Sequence, residues 1–211
     1  YDQLFPGKSI GALILNSCDQ PLLIKQKLLN IFQNGIKSND GSYEYVENKL
    51  LGFVGPYSSS LSLATSEILT EFKYVQTAYA STSIELSDRS KFPYYTRVST
   101  PDNKQVQALI SIIRHRLYDS SYIQLVYSEG AYGESGRAAI KEEAEKSNIC
   151  IIQEIEINDN TNFNIILPTL RNRPFAKVVI IFLQSQQVLA VTTALNQNMK
   201  VGEFFFLGSE E

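Results

Sequence analysis

Short apolar runs alternate regularly with longer amphipathic segments along this chain, and this pattern limits its possible folds more than any other feature of the sequence. The apolar runs are rich in β-branched and aromatic residues, as buried strands are, and the segments between them have the length of helices. The pattern predicts strands at 10–15, 51–55, 75–79, 122–127, 149–157, 177–183 and 203–207, and helices at 21–33, 59–72, 101–117, 133–146, 162–171 and 186–196. Such alternation is typical of an α/β protein with mostly parallel sheets.

A polar stretch at 83–99 separates two series of these units. It contains Pro93 and has no helical period long enough for a core element, so we expect it to be irregular. We therefore place a lobe boundary near Ser99, which gives predicted lobes at 1–99 and 100–211.

Two shorter segments carry local signals. Pro101 suits the first position of a helix, where its missing N–H costs nothing, and Thr100 before it is a suitable cap. The polar segment 37–47 is predicted to be a solvated loop ahead of the next strand.

Composition and charge exclude several classes of protein. The chain has 211 residues, of which 44% are hydrophobic and 19% charged, as in a folded domain and not in a disordered chain. Its formal net charge of -3 gives no positive field for a phosphate backbone, so nucleic acid is not an expected partner. The longest apolar stretches, 176–183 and 201–207, fall well short of the roughly 20 residues that span a bilayer. The start at Tyr1, without a leader-like segment, indicates a processed product or a fragment.

Residues suited to nucleophilic catalysis or metal binding are scarce. The one histidine, His115, lies between Arg114 and Arg116 in a predicted helix, where positive neighbours disfavour its charged form and the side chain is expected to face water. No G-x-S-x-G elbow occurs, and Cys18 and Cys150 do not have the spacing of a zinc site. We predict that the chain is not an enzyme and uses no metal and no cofactor.

Polar segments follow three of the predicted strands, at the point where each strand turns towards its helix. They are 55–60 (GPYSSS), 79–83 (YASTS) and 129–136 (EGAYGESG). Ligands of open α/β sheets collect at the carboxyl ends of strands, where backbone amides and helix N termini bind anions, so these hydroxyls and amides suit a carboxylate. A plain serine N-cap explains the first segment equally well. The third also resembles a loose phosphate loop, although it matches neither nucleotide-binding motif.

Two residues of the second lobe are suited to an amine. Asp102 opens the first helix of that lobe, where its charge either stabilises the helix dipole or faces a cationic ligand group. Tyr132 offers an aromatic face to a cation. Hydroxyls from the first lobe, together with Asp102 and Tyr132 from the second, match a zwitterion. The residues therefore predict a small amino acid bound in a cleft between the lobes.

Three segments also resemble a known family. They are YASTSIELSD at 79–88, the pair Arg97-Val98 with Asp102 beyond it, and EGAYGESG at 129–136. These segments closely resemble the ligand-binding ectodomain of metabotropic glutamate receptors, which are class C G-protein-coupled receptors, and a looser likeness covers nearly the whole chain. The resemblance implies a two-lobed Venus-flytrap fold, similar to type I periplasmic amino-acid-binding proteins, in which each lobe is a mostly parallel sheet flanked by helices.

The resemblance assigns the ligand head group to particular residues of lobe one. It implies that Ser59 and Thr82 meet the α-carboxylate and the α-amino group, with the Ser58 hydroxyl beside them. Ala80 stands where glutamate-binding members have a serine that contacts the ligand. Only the Ala80 backbone or the neighbouring Ser81 is left to make that contact.

In lobe two, the resemblance implies that Asp102 and Tyr132 close on the ligand ammonium. Glu210 stands where the glutamate receptors have an aspartate near the ligand amino group. It keeps the charge but is longer by one methylene, so the pocket geometry is expected to differ.

Relative to this family, the chain is truncated at both ends. Missing are the first strand and helix of lobe one, including the arginine that binds the glutamate side chain, and everything after lobe two, so the agonist stays open. On composition alone, Cys18 and Cys150 are free buried thiols. The resemblance instead implies an extracellular setting at the plasma membrane, in which both form disulfides with cysteines outside this chain. A G protein would couple through a transmembrane domain that is also outside it.

The family also implies a dimer through lobe one. The helices at 21–33 and 59–72 would form the contact between like or unlike chains, and Leu29, Ile68 and Phe72 are the candidate surface residues. The alternative is that all three face their own sheet, because both helices need an apolar inner stripe.

The function expected from these features is the sensing of a glutamate-like amino acid by a receptor ectodomain whose lobes close on the ligand. A soluble amino-acid-binding protein of a transport system is the alternative, and a transmembrane segment in the full gene would separate the two. An enzyme that acts on a phosphorylated substrate at 130–136 is a third hypothesis, which predicts phosphate binding instead of amino-acid binding.

Overall fold

Two parallel sheets organise the structure, one on each side of the predicted boundary near Ser99. The structure is a computed structural model that describes residues 6–7, 10–37, 43–44, 49–117 and 121–209. The strands are β1 (Ile36–Lys37), β2 (Tyr43–Glu44), β3 (Phe53–Val54), β4 (Gln76–Ala78), β5 (Tyr95–Arg97), β6 (Tyr122–Ser128), β7 (Cys150–Ile157), β8 (Val178–Phe182) and β9 (Phe205–Gly208). The helices are α1 (Pro21–Asn34), α2 (Ser59–Glu71), α3 (Asp102–Arg116), α4 (Ala131–Lys146), α5 (Ile166–Arg171) and α6 (Ser185–Asn196), and there are short 3-10 turns at Ile84–Ser87 and Phe163–Ile165.

Within each sheet all strands run parallel. The first sheet has the order β3-β4-β5, and the second has the order β7-β6-β8-β9. Strands β1 and β2 form a separate antiparallel pair. This arrangement confirms the predicted α/β class, since crossover helices connect the parallel strands.

The second sheet is covered on both faces, which is why its central strands read as continuous apolar runs. Helices α3 and α4 pack on one face, where Val106 and Ile140 lie in one buried cluster with the β6 residue Leu125. Helices α5 and α6 cover the other face, where Leu170 and Val191 lie in the same buried cluster. The predicted strands and helices of this lobe are confirmed to within a few residues, except that 162–171 begins as a 3-10 turn.

The first lobe packs α1 and α2 together, with Leu28, Leu61 and Leu69 fully or almost fully buried between them. On α2, however, the buried face also carries hydroxyls, a feature that an apolar stripe does not predict. Its buried polar residues are Ser59, Ser62, Thr65 and Ser66.

Several predictions for the first lobe are wrong. Residues 10–15 form no strand, and Ile14 is 91% exposed. Both this segment and β3 line a cavity of about 1210 Å³, and within the described residues β3 pairs with β4 alone. The segment 37–47 is not simply a loop, since Lys37 and Tyr43–Glu44 belong to the antiparallel pair.

The stretch 83–99 is more regular than predicted. It contains a 3-10 turn and strand β5, which extends the first sheet beside β4. Tyr95 is buried there, so a three-residue strand contributes to the core despite its polar surroundings. The capping prediction is also wrong by one position, because Pro101 is itself the N-cap and Asp102 begins α3.

Candidate ligand-binding site at the lobe boundary

The serine segment after β3 begins α2 and faces the second lobe. The Ser58 hydroxyl accepts a hydrogen bond from the Leu61 N–H at 3.3 Å and caps the helix, as the N-cap alternative predicted. An added Cβ at Gly130, the N-cap of α4, would lie 3.7 Å from the Ser60 hydroxyl oxygen. The N termini of α2 and α4 therefore approach one another across the boundary between the lobes.

Ser59 is fully buried and fixes the loop that follows β4. Its hydroxyl oxygen accepts hydrogen bonds from the Thr82 and Ser83 N–H groups, each at 3.2 Å. The two segments predicted to hold a ligand from lobe one are thus joined directly. Ser59 orients Thr82, which had been predicted as its neighbour in the site.

Ser81 turns inwards and serves the packing of α2. Its hydroxyl lies 2.6 Å from the Ser62 hydroxyl and donates to the Tyr57 carbonyl at 2.9 Å. Beneath it, Gln76 donates to the Gly55 carbonyl and to Thr65, and its own carbonyl accepts from the Ser66 hydroxyl. These bonds give the buried hydroxyls of α2 hydrogen-bond partners and hold the loop after β4 in position against the helix.

Thr82 and Asp102 lie side by side at the boundary. The Asp102 N–H donates to the Thr82 carbonyl at 3.0 Å. Asp102 is 0% exposed and Thr82 is 3% exposed. In the part of the chain that the structure describes, the Thr82 hydroxyl and both Asp102 carboxylate oxygens are buried without a hydrogen-bond partner. Buried polar atoms are nearly always bonded, so three unbonded oxygens in one place indicate a site for a donor group.

Burial sets the electrostatics of this group. Removal from water raises the pKa of the Asp102 carboxyl above its ordinary value, because the charged form loses hydration. The Thr82 and Ser135 hydroxyls and the Arg97 charge act in the opposite direction. Neither hydroxyl lies in hydrogen-bonding geometry with the carboxylate, so their polarity offsets only part of the burial cost.

Tyr132 is buried and belongs to the second lobe's core. Its ring packs against Phe182 at 4.6 Å between centroids, and its hydroxyl donates to Ser209 at 3.2 Å. The Ser209 hydroxyl in turn donates to the Gln105 side-chain amide oxygen at 2.5 Å, one turn along α3 from Asp102. Tyr132 is thereby linked to the helix that carries Asp102.

Besides the bond between Asp102 and Thr82, two hydrogen bonds that involve side chains join the lobes within the described residues. The Ile84 N–H donates to the Ser135 hydroxyl at 2.9 Å, and the Ile84 side chain packs on the second lobe's core. Further out, the Tyr57 and Ser185 hydroxyls lie 3.3 Å apart. Ser135 lies in the predicted polar segment 129–136 but was not singled out there, because its role depends on where α4 faces the loop after β4.

The glycines at 130–136 mainly serve packing. A Cβ at Gly133 would lie 1.8 Å from the Ser128 carbonyl oxygen, and one at Gly136 would lie 2.1 Å from the Phe182 ring. Both glycines therefore allow α4 to pack closely on the second sheet. Only Gly130, with a φ of 94°, lies at the helix entrance, which weakens the phosphate-loop hypothesis.

The large cavity reaches the boundary but stops short of this group. Its outer end is lined by Tyr57, Ser58 and Tyr79 from the first lobe and by Gln184, Ser185 and Gln186 from the second. Thr82, Asp102 and Tyr132 do not line it. The predicted ligand residue Glu210 lies outside the described residues.

The predicted dimer residues differ in exposure. Leu29 and Phe72 are exposed, while Ile68 packs partly against the core of its own lobe. Phe72 also stacks on Phe32 at 4.1 Å between centroids. The alternative that all three face their own sheet is therefore wrong for Leu29.

Cys18 and Cys150 are both exposed free thiols and not buried ones. Within the described residues, no group of three or more histidine, cysteine, aspartate or glutamate side chains is arranged to hold a metal. His115 is exposed, as predicted. In the same ranges, no helix is both long and apolar enough to cross a bilayer.

Comparison with known proteins identifies the family. The family described as "Receptor family ligand binding region" matches residues 1–211. The chain is 32% identical over 220 aligned residues to metabotropic glutamate receptor 4 of Macaca fascicularis, and 31% identical to that of Mus musculus. Each alignment covers 98% of this chain but 24% of the receptor, so the chain spans about a quarter of the length of these relatives. With its two parallel sheets flanked by helices, the chain belongs to the receptor family ligand-binding region, as a fragment of the two-lobed fold.

Proposed function

We propose that this chain is part of the extracellular ligand-binding domain of a class C G-protein-coupled receptor and that it binds a free α-amino acid between its lobes. The similarity to metabotropic glutamate receptors supports the receptor class. The observation that carries the ligand class is the group of three unbonded, buried oxygens on Thr82 and Asp102.

An ammonium group fits these oxygens in number and in charge. It has three N–H donors and no acceptor, and the site has three acceptor oxygens, two of them on a carboxylate. Its charge also replaces the hydration that Asp102 loses on burial. A neutral donor such as an amide would leave the carboxylate charge uncompensated.

The ligand carboxylate is placed at the neighbouring helix ends. The N termini of α2 and α4 converge at Ser60 and Gly130, and each presents the partial positive charge of a helix N terminus. A carboxylate there would lie beside an ammonium held by Thr82 and Asp102. The two charged groups of one amino acid would then link lobe one to lobe two.

Entry of the ligand requires the lobes to separate. The unbonded oxygens are closed off from water, and the bonds of Ile84 with Ser135 and of Tyr57 with Ser185 lie across the opening path. Because the ligand would touch both lobes only when they are closed, its binding favours the closed state. This population shift is the proposed signal to the receptor, and dimerisation through Leu29 and Phe72 would transmit it.

The same proposal includes the identity of the ligand and the location of the domain. Glutamate is the first candidate because it gives the similar receptors their name. We place the domain on the extracellular side of the plasma membrane, with Cys18 and Cys150 in disulfides to parts of the protein outside this chain and a G protein as the partner inside the cell.

The test measures the affinity of the full-length protein for amino acids by titration calorimetry. We expect Thr82→Ala and Asp102→Ala each to weaken binding of the best natural amino acid at least tenfold, about 1.4 kcal/mol. The N-acetyl form of that ligand, which lacks the ammonium, should not bind. Asn103→Ala, an exposed neighbour on α3, is the matched control.

Unchanged affinity in both site variants would refute the site. Tight binding of nucleotides or inorganic phosphate in place of amino acids would instead favour an enzyme acting at 130–136.

A further inference from the structure

The loop that carries Thr82 is held by more than Ser59. Arg97, the last residue of β5, pairs with Ala78 at the end of β4 and extends its side chain over the loop that follows. One guanidinium nitrogen donates to the Ser83 carbonyl at 2.7 Å and to the Ser81 carbonyl at 3.4 Å. These two carbonyls flank Thr82 on either side.

The rest of the loop is fixed in the same way. The second terminal nitrogen of Arg97 donates to the Ser87 hydroxyl in the 3-10 turn, and the Ser99 hydroxyl donates to the Ser81 carbonyl at 2.9 Å. The Thr82 N–H and carbonyl are bonded to Ser59 and Asp102. The backbone around Thr82 is therefore satisfied, and the hydroxyl is the group left for a ligand.

Arg97 is also the charged group that acts on the Asp102 carboxylate, since its positive charge lowers the Asp102 pKa. It is half-buried, and among the described residues it forms no ion pair with a carboxylate. Burial lowers its pKa, while the charge of Asp102 opposes that change. Of the groups that face Asp102, the Thr82 and Ser135 hydroxyls are uncharged, so Arg97 supplies the field that favours an ionised carboxylate.

We propose that Arg97 is a positioning residue for the amino-acid site: its planar guanidinium holds the carbonyls on both sides of Thr82 and keeps the threonine hydroxyl and the Asp102 carboxylate together for one ammonium. This inference rests on the proposed function for its ligand, but the ordering of the loop does not. Lysine cannot reproduce it, because a point charge does not bridge several acceptors in one plane.

The experiment compares Arg97→Gln and Arg97→Lys in the full-length protein with Arg89→Gln as the matched control. Arg89 lies in the same region, is exposed and donates to the Tyr95 carbonyl, away from the loop. The first readout is amide hydrogen exchange of Thr82 and Ser83 without ligand. The second is the pH dependence of amino-acid affinity.

For Arg97→Gln, we expect the Thr82 and Ser83 amides to exchange at least tenfold faster while those of the second sheet do not change. Affinity should fall at least tenfold, and the pH at which binding sets in should rise, because loss of the arginine charge raises the Asp102 pKa. Arg97→Lys should restore the pH of onset but leave the loop amides fast. A purely structural role would leave the pH of onset unchanged in both.

The outcomes separate the two proposals. Unchanged loop exchange in Arg97→Gln, or equal effects in Arg89→Gln, would overturn the role of Arg97. If the wild-type protein binds no amino acid but the loop amides still become fast, the proposed function fails and the positioning stands. If Arg97→Gln does not fold, loop exchange in Arg97→Lys decides: faster exchange supports the proposal and unchanged exchange overturns it.

Discussion

Replacement of Asp102 by asparagine should make the unliganded protein more stable while it abolishes amino-acid binding. Asp102 is fully buried, and neither carboxylate oxygen has a hydrogen bond among the described residues. An unsatisfied buried polar group costs about 1–3 kcal/mol, and more when charged. Loss of the negative charge in the first turn of α3 offsets about 0.3–1 kcal/mol of that gain. The net stabilisation is then about 1 kcal/mol, or about 2–4 °C for a domain of this size.

The sign of this effect must depend on pH. Burial raises the folded-state pKa of Asp102, so the wild-type protein is relatively most stable below the unfolded-state pKa, and this contribution is lost as the pH rises through the folded-state pKa. The asparagine variant does not titrate at this site. Its advantage in melting temperature should be absent near pH 4 and grow towards pH 8, as measured by scanning fluorimetry of the full-length protein's ligand-binding region. A variant less stable than wild type at pH 7, or an advantage that does not change with pH, would show that the buried Asp102 charge does not destabilise the unliganded protein.

Further predictions concern packing, buried polarity and one surface ion pair. Gly133→Ala should cost about 3 kcal/mol in the free energy of unfolding, since its Cβ would lie 1.8 Å from a β6 carbonyl oxygen, whereas Gly208→Ala, with open space around it, should be neutral in the same urea titration. Gln76→Leu should lower the free energy of unfolding by about 3 kcal/mol, because the Gly55 carbonyl, Thr65 and Ser66 lose their hydrogen bonds to the Gln76 side chain. An unchanged melting temperature would contradict this. The Arg171 guanidinium lowers the pKa of Glu203 to about 2, so the loss of stability in Glu203→Gln should be present above about pH 4.5 and vanish as the pH falls through 2; a urea midpoint difference that persists at pH 2 would be inconsistent with it.

The second lobe was well predicted from sequence because its strands are long and buried on both faces. β8 is apolar at all five positions and fully buried, so periodicity and composition agree there. β5 gave no such signal, since it has three residues and only Tyr95 is buried. Short strands of this kind are fixed by tertiary contacts and not by local pattern.

The sequence predicted which residues lie at the site but not which of them bond to other protein groups. Thr82 and Asp102 were expected to meet across the lobe boundary, and the structure brings them together. Ser59 and Ser81 were expected to face the ligand, yet the Ser59 hydroxyl accepts from the Thr82 N–H and the Ser81 hydroxyl donates to the Tyr57 carbonyl, because serine hydroxyls satisfy backbone and ligand groups equally well. Ser135 belongs to the predicted segment 129–136, but its bond to Ile84 could not be predicted, since it joins residues 51 positions apart.

Under the proposed function, the unbonded Asp102 carboxylate would couple ligand binding to lobe closure. Closure without ligand would be opposed by burial of this charge, whereas with an ammonium present the same burial would strengthen the attraction between the two charges. A proton can neutralise the carboxylate in place of the ligand, since burial raises its pKa. In the proposed site, protonation and amino-acid binding would therefore compete for the same oxygens, and a closed state stabilised by acid would lack the ammonium that links Thr82 to Asp102. Closure driven by pH and closure driven by ligand would then be different states of the same site.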